Sequence, residues 1–97
     1  DEALSSAARS LLRRLAGEEV FACHDVVDED RLSLFRSRAG LSLGVGHARF
    51  QEGRELERRG LAVWSRQTPP RLTISAEGRA FLKRGDGGET AFADQHR

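Results

Sequence analysis

Apolar and polar positions follow a helical pattern near the N-terminus. Four apolar residues recur there at intervals of three and four: Ala8, Leu11, Leu12 and Leu15. Residues with this spacing share one face of a helix, and the pattern predicts a helix over residues 4–16. Ser5 or Ser6 can cap its first turn, and Gly17 can end it.

Between residues 18 and 43 the pattern fits two structures. The run DEDRLSLFRSRAG begins with acids and ends with arginines before a glycine, as a helix does. However, Leu32 and Leu34 alternate with Ser33, and VFACH precedes the turn-like DVVDED. This alternation indicates two strands, at 20–24 and 31–38. We favour the strands, and a helix over residues 26–39 remains the alternative.

The run GVGHARFQEGRELERR, residues 44–59, predicts a second helix that packs through Phe50, Gly53 and Leu56. Four polar residues then follow at intervals of four, three and four on the opposite face: His47, Gln51, Arg54 and Arg58. Such side chains read base edges or hold phosphates. Three glutamates lie on the same run: Glu52, Glu55 and Glu57. They favour the alternative of a solvated helix with internal ion pairs.

A β-hairpin and a last helix are predicted after Gly60. The runs at 61–65 and 72–75 are rich in β-formers, and the connection between them contains two prolines, which cannot donate to a strand ladder. Val63 and Trp64 cannot both face the core, because strand side chains alternate. We expect Trp64 to cover the root of the hairpin or to pack on the first helix. Ser75 caps the last helix, and Gly85 ends it.

The apolar residues expected to form the core are Leu11, Leu15, Leu56, Leu61, Val63, Leu72, Ile74, Phe81 and Leu82. They come from the two helical patterns, from the hairpin strands and from the last helix.

The runs LERRGLAVW and RLTISAEGRAFL, separated by a basic turn, resemble the second half of a bacterial winged helix-turn-helix domain of the MarR and PadR kind. The matching residues are Leu56, Gly60, Leu61, Val63, Leu72, Thr73, Gly78 and Leu82. The resemblance implies an α+β winged helix, with three helices and a small antiparallel sheet that carries a hairpin wing. If residues 26–39 are not helical, a hairpin replaces the usual middle helix.

The same resemblance implies a transcription regulator that binds double-stranded DNA. Helix 44–59 would enter the major groove, and the wing at 66–71 would lie on the backbone or in the minor groove. The residues expected to contact DNA are His47, Gln51, Arg54, Arg58, Arg66, Gln67 and Arg71.

The distribution of charge agrees with this expectation. Residues 1–30 hold three basic and eight acidic side chains, a net charge of −5. Residues 31–84 hold twelve basic and four acidic side chains, a net charge of +8, and residues 85–97 sum to −2. A basic segment of this kind is the electrostatic footprint of a nucleic-acid binder.

The chain of 97 residues has room for one small domain. We expect the winged-helix domain over residues 1–84, and a flexible tail or a linker to a further domain over residues 85–97. That tail and the run GRAFLKR also resemble the DNA-binding module of multi-domain alphaproteobacterial regulators such as gene-transfer-agent activators. The second resemblance implies RNA polymerase or another regulator as a further partner.

Little else in the sequence indicates chemistry. Cys23 is the only cysteine, and no signal peptide or membrane-length apolar run is present, so we expect a cytoplasmic protein without a membrane partner. Cys23, His24 and Asp25 form the only close group of ligand types, and His47 and His96 lie far away in sequence. We expect no enzyme, metal or cofactor. The alternative function is a winged-helix protein-interaction module, which the acidic N-terminal third and the helix glutamates favour.

Overall fold

The protein is described by a computed structural model that covers residues 4–86. Its elements, in chain order, are α1 (Ser6–Leu15), β1 (Val20–His24), β2 (Arg31–Arg38), β3 (Leu41–Arg49), α2 (Phe50–Arg58), β4 (Ala62–Trp64), β5 (Leu72–Ile74) and α3 (Ala76–Phe81), with a π-helical turn at Leu82–Asp86. The chain is therefore an α+β protein with three α-helices. The tail predicted over residues 85–97 begins within the π-helical turn, at Gly85 and Asp86, and its remainder lies outside the described residues. Within residues 4–86, no helix is long and apolar enough to cross a membrane.

The five strands form one antiparallel sheet in the order β3-β2-β1-β5-β4. The longest pair is β2 and β3, joined by Ala39 and Gly40, which both have positive φ. Two such residues in succession match the twist of a tight hairpin. The register shifts by one residue near the middle of the pair, where Leu34 faces Gly46 and Phe35 faces Gly44. Val45 is left unpaired as a β-bulge.

The strands at 20–24 and 31–38 are confirmed, and the alternative of a helix over residues 26–39 is wrong. Leu32 and Leu34 are fully buried, whereas Ser33 lies on the other face of the sheet, as the period of two requires. The acids before β2 form the loop between the two strands.

The helix predicted over residues 44–59 is shorter than expected, because residues 41–49 form strand β3. Gly44 and Gly46 make this segment a weak helix former, and its apolar residues alternate with small ones, as on a strand. Helix α2 starts at Phe50, immediately after β3, with Arg49 as its N-cap. His47 therefore lies on a strand and not on the helix.

The three helices pack on one face of the sheet. Their apolar sides meet the inward residues of the strands in a single core: Leu4, Ala8, Leu11, Leu12, Leu15, Val20, Ala22, Leu32, Leu34, Leu56, Leu61, Ala62 and Leu72. Ser5 accepts a hydrogen bond from the Ala8 N–H at 3.1 Å and caps α1, as predicted. Ser75 caps α3 in the same way, through the Gly78 N–H at 3.0 Å. The regular helix ends at Phe81, earlier than predicted, and the π-helical turn takes the chain through Gly85.

Most of the predicted core is confirmed. The buried members are Leu11, Leu15, Leu56, Leu61 and Leu72, and the partly buried ones packed against them are Ile74, Phe81 and Leu82. Val63 was placed wrongly, because its side chain is 48% exposed and Trp64 packs against the core in its place. The alternation of side chains along β4 allows only one of the two to face inward.

Helix α2 lies very close to the sheet at Gly53. A Cβ atom at this position would be 2.7 Å from Leu32 Cδ1 and 3.1 Å from Leu72 Cδ2. A larger residue would push the helix away from β2 and β5. Leu56 follows one turn later and is fully buried.

Arg14 joins α1 to the edge strand β3. Its guanidinium donates hydrogen bonds to the carbonyl oxygens of His47, at 3.0 Å, and Val45, at 3.4 Å. The guanidinium lies where a Cβ atom of residue 46 would be, so Gly46 is required for this contact.

We predict that Leu56→Ala lowers the free energy of unfolding by about 2–5 kcal/mol, because it removes a fully buried side chain and leaves a cavity. Leu41→Ala, at a side chain that is 64% exposed, should change it by less than about 0.5 kcal/mol. Urea denaturation of both variants measures the difference, and similar losses would contradict the position of Leu56 in the core.

Candidate nucleic-acid interface

Helix α2 presents a polar face to solvent. Gly53 and Leu56 are buried against the sheet, and Gln51, Arg54 and Arg58 are exposed on the other side. Within residues 4–86, the Arg54 side chain makes no hydrogen bond or ion pair. The three side chains that the sequence places away from Leu56 are therefore accessible to a partner.

Two of the three glutamates of α2 have structural roles. The Glu52 carboxylate accepts a hydrogen bond from the Arg49 N–H at 3.3 Å, across the first turn of the helix. The Glu55 carboxylate accepts hydrogen bonds from the backbone N–H of Ser5 at 3.0 Å and from the Ser5 hydroxyl at 2.9 Å. The bond from the backbone N–H is the main reason why the pKa of Glu55 lies below its ordinary value, and the bond from the hydroxyl lowers it further. Glu55 thereby joins α2 to the start of α1. Only Glu57 remains as an acid without such a role.

The predicted wing connects β4 to β5 through residues 65–71. Ser65 organises this turn, because its Oγ accepts the N–H groups of Arg71 at 3.0 Å and Gln67 at 3.4 Å. The backbone N–H of Ser65 donates to the Arg71 carbonyl oxygen at 2.8 Å, and the Thr68–Pro69 peptide bond is cis. Arg66 and Gln67 are exposed on the turn.

Arg71 and His47 have surroundings that the sequence did not predict. The Arg71 guanidinium carbon is 4.2 Å from the ring centroid of Phe21, which itself stacks on Phe35 on the sheet face away from the helices. His47 is exposed on β3 and pairs with Ser33 across the strands. The prediction that His47 shares a helix face with Gln51, Arg54 and Arg58 is therefore wrong, because the residues after Gly44 form a strand, and Arg71 covers an aromatic ring.

A small apolar pocket separates the wing from the start of α2. Its volume is about 340 Å³, and it is lined by His24, Phe50, Trp64, Ser65, Pro69 and Pro70. The rings of His24 and Phe50 stack with centroids 4.3 Å apart, and Trp64 is tilted against Phe50 at 6.4 Å. Trp64 thus covers the root of the hairpin, one of the two positions expected for it.

A groove with arginines also borders Phe50. Its volume is about 390 Å³, and it is lined by Asp30, Arg49, Phe50, Gln51 and Arg54. Because Phe50 lines both cavities, the apolar pocket and the basic groove are neighbours. Sequence reasoning missed this pair, since it treated Phe50 only as a core residue and His24 only as a possible ligand.

The acidic loop before β2 is organised by Asp25. Its Oδ1 accepts the N–H groups of Val27 at 2.7 Å and Asp28 at 3.0 Å. Its Oδ2 accepts hydrogen bonds from Arg31 Nε at 3.0 Å and Ser33 Oγ at 3.1 Å. The two backbone N–H groups are the main reason why the pKa of Asp25 lies well below its usual range. The loop ends beside α2, where the Asp30 carbonyl accepts the Phe50 N–H at 2.8 Å.

Within residues 4–86, no group of three or more His, Cys, Asp or Glu side chains is placed to hold a metal ion. Cys23 is half-buried, and this burial raises the pKa of its thiol. Comparisons of the chain with protein families, with curated protein sequences and with solved structures find no match.

We predict that Asp25→Asn destabilises the protein at neutral pH, because the amide cannot accept the same charge-assisted hydrogen bonds. The pKa of Asp25 is lower in the folded than in the unfolded chain, so its contribution is complete above the unfolded value of about 4. It is lost as the pH falls through the folded value.

The difference in unfolding free energy between Asp25→Asn and the parent should therefore shrink in acid, as urea denaturation from pH 7 downward measures. Glu29→Gln is the matched control, because the Glu29 side chain is exposed in the same loop and only its backbone carbonyl has a described contact, with His24. A difference in unfolding free energy between Asp25→Asn and the parent that stays constant over the whole pH range would contradict the prediction.

Proposed function

We propose that this chain is a winged-helix DNA-binding module of a bacterial transcription regulator. In this proposal α2 enters the major groove of double-stranded DNA, and the wing contacts the backbone or the minor groove. The observation that carries it is the exposed face of Gln51, Arg54 and Arg58 on a helix whose other side is held against the sheet by Gly53 and Leu56.

The order of elements supports the winged-helix interpretation. Helix α2, the β4–β5 hairpin and helix α3 follow one another as the resemblance implies, and β1, β5 and β4 lie side by side in the sheet. In this interpretation the β2–β3 hairpin, which lies between β1 and α2 in the chain, replaces the middle helix. A module of this kind would act in the bacterial cytoplasm.

The length of α2 and its exposed arginine and glutamine side chains suit a major groove. Nine residues span about 14 Å, and an α-helix fits into the groove of B-form DNA. Arginine can bond to both acceptors of a guanine, and glutamine can bond to adenine. Because Glu52 and Glu55 are engaged at the helix start and at Ser5, their charges are partly compensated within the protein.

In the wing, Arg66 is the residue that we expect to contact a phosphate group of the DNA backbone. It is exposed, and its side chain has no hydrogen bond or ion pair within residues 4–86. Arg71 is better assigned to the packing of Phe21. A contact with RNA polymerase or with another regulator remains a prediction.

The alternative function, a protein-interaction module, is favoured by one observation. Strand β3 is at the edge of the sheet, and its apolar residues Leu41, Leu43 and Val45 are 64%, 48% and 45% exposed. Exposed apolar edges can pair with other chains. A salt titration separates the two functions, because DNA affinity falls steeply with salt through counterion release, whereas apolar association does not.

We predict that Arg54→Ala weakens specific binding to duplex DNA by about 1–3 kcal/mol and relaxes sequence preference at one position, because it removes a base contact. Fluorescence anisotropy with a set of duplexes selected by the parent protein measures both effects. Arg38→Ala is the matched control, since Arg38 is exposed at the other end of the β2–β3 hairpin. Equal behaviour of the two variants would remove the main support for a recognition helix.

For the wing we predict that Arg66→Ala weakens binding to specific and random duplexes by similar factors. It should also lower the slope of log affinity against log salt by about one contact, because one phosphate is no longer neutralised. Arg71→Ala should instead reduce stability, through the loss of its contact with Phe21. An unchanged salt slope in Arg66→Ala would place the wing away from DNA.

A further inference from the structure

We propose that the apolar pocket between the wing and the start of α2 is a slot for a single nucleobase turned out of its stack. The slot is formed by His24, Phe50, Trp64, Ser65, Pro69 and Pro70. This inference rests on the proposed DNA-binding function, and it adds unpaired or distorted DNA as the preferred substrate.

The size and the walls of the slot suit a flat ring. Its volume of about 340 Å³ lies at the lower end of the range of small-ligand sites. Three of the six lining residues carry aromatic rings, and two more are prolines. Bases stack favourably on aromatic side chains regardless of their sequence, because every base has a π-face.

Both polar side chains of the slot already have a partner within the protein. The Oγ of Ser65 accepts the N–H groups of Arg71 and Gln67, and His24 Nε2 lies 2.6 Å from the Glu29 carbonyl oxygen. The slot is therefore suited to stacking on a base, with little hydrogen bonding to its edge. We expect weak discrimination among the four bases.

The charge next to the slot identifies the occupant. The adjoining groove carries the cationic side chains of Arg49 and Arg54 against the single carboxylate of Asp30. Phe50 lines both cavities, so a ring in the slot and a group in the groove would both lie next to this residue. A nucleotide has this composition, with an apolar ring joined to an anionic phosphate, whereas an unmodified Phe or Trp side chain carries no anion of its own.

The slot has a consequence for substrate choice. Turning a base out of a duplex costs a few kcal/mol, and least where the base is mismatched or already single-stranded. We therefore infer that single-stranded or locally unpaired DNA enters the slot, while α2 and Arg66 contact the flanking duplex.

Trp64 provides the readout for a test. The chain has one Trp and no Tyr, so its fluorescence reports on the wall of the slot. The full chain is titrated with an oligothymidylate and with an abasic deoxyribose-phosphate oligomer of equal length. We expect the oligothymidylate to quench Trp64 and the abasic oligomer to bind more weakly and to leave its emission unchanged. Equal quenching by both oligomers would overturn the inference.

The matched variants are Phe50→Leu and Phe35→Leu. Each replaces a partly buried ring by an aliphatic side chain of similar hydrophobicity, so both should fold, but Phe35 lies on strand β2 in contact with Phe21 and outside the slot. Phe50→Leu should lower the affinity for oligothymidylate by about 5- to 150-fold, the range for one stacked base, and Phe35→Leu should leave it unchanged.

Duplex binding, measured in parallel, distinguishes failure of the slot from failure of the proposed function. If the parent binds duplex but oligothymidylate leaves Trp64 unquenched, the slot is overturned and DNA binding stands. If Phe50→Leu weakens binding to a fully paired duplex as much as binding to oligothymidylate, then Phe50 acts by positioning α2, and the slot is again overturned. If neither DNA binds, both proposals fail. Stronger quenching by a phenylalanine-bearing peptide than by oligothymidylate at equal concentration would assign the pocket to a protein partner.

Discussion

The contact between α2 and the sheet at Gly53 is the constraint on which the other features depend. Because residue 53 has no side chain, Leu32 and Leu72 reach the helix backbone, and Leu56 enters the core one turn later. This contact fixes which side of α2 faces solvent, and so it places Gln51 and Arg54 outward. It also places Phe50, the first residue of α2, beside Trp64 and the root of the wing.

Three acidic residues within the described part of the chain bind other parts of the protein. Asp25 holds the loop before β2 through two backbone N–H groups and the Arg31 side chain. Glu55 binds the start of α1, and Glu52 binds the backbone at the start of α2. The Asp25 carboxylate is also paired with the Arg31 guanidinium at 3.0 Å, and Arg54 and Arg66 remain exposed cations.

Local patterns were sufficient for much of the fold. The spacing of Leu11 and Leu15 predicts α1, and the alternation around Leu32 and Leu34 predicts β2. Each element buries one side, so its apolar residues recur at the interval typical of a helix or a strand. The boundary between β3 and α2 was missed: the alternation of apolar and small residues in β3 was overlooked, and because most of β3 is exposed, burial gives no further sign of a strand there. His47 was therefore placed on the wrong element.

The residues of the candidate site could be predicted from the sequence only where they lie together on one helix. Gln51, Arg54 and Arg58 share a helix, so their spacing alone identifies a common face. The pocket combines His24, Phe50 and Trp64 from three elements that are distant in sequence, and tertiary packing alone brings them together. The contact between Arg71 and Phe21 also joins residues that are distant in sequence. The local sequence around Arg71 therefore suggests a residue at the tip of the wing and gives no sign of this contact.

The contact between Arg14 and β3 determines where the sheet stops growing. An edge strand with exposed apolar side chains is a template on which another strand can add by backbone pairing. In this protein two carbonyl oxygens of that edge, those of Val45 and His47, are already occupied by a side chain from α1. An incoming strand would have to displace this exposed guanidinium before it could use both carbonyl oxygens, so a side chain from the helix that builds the core competes with strand addition at this edge.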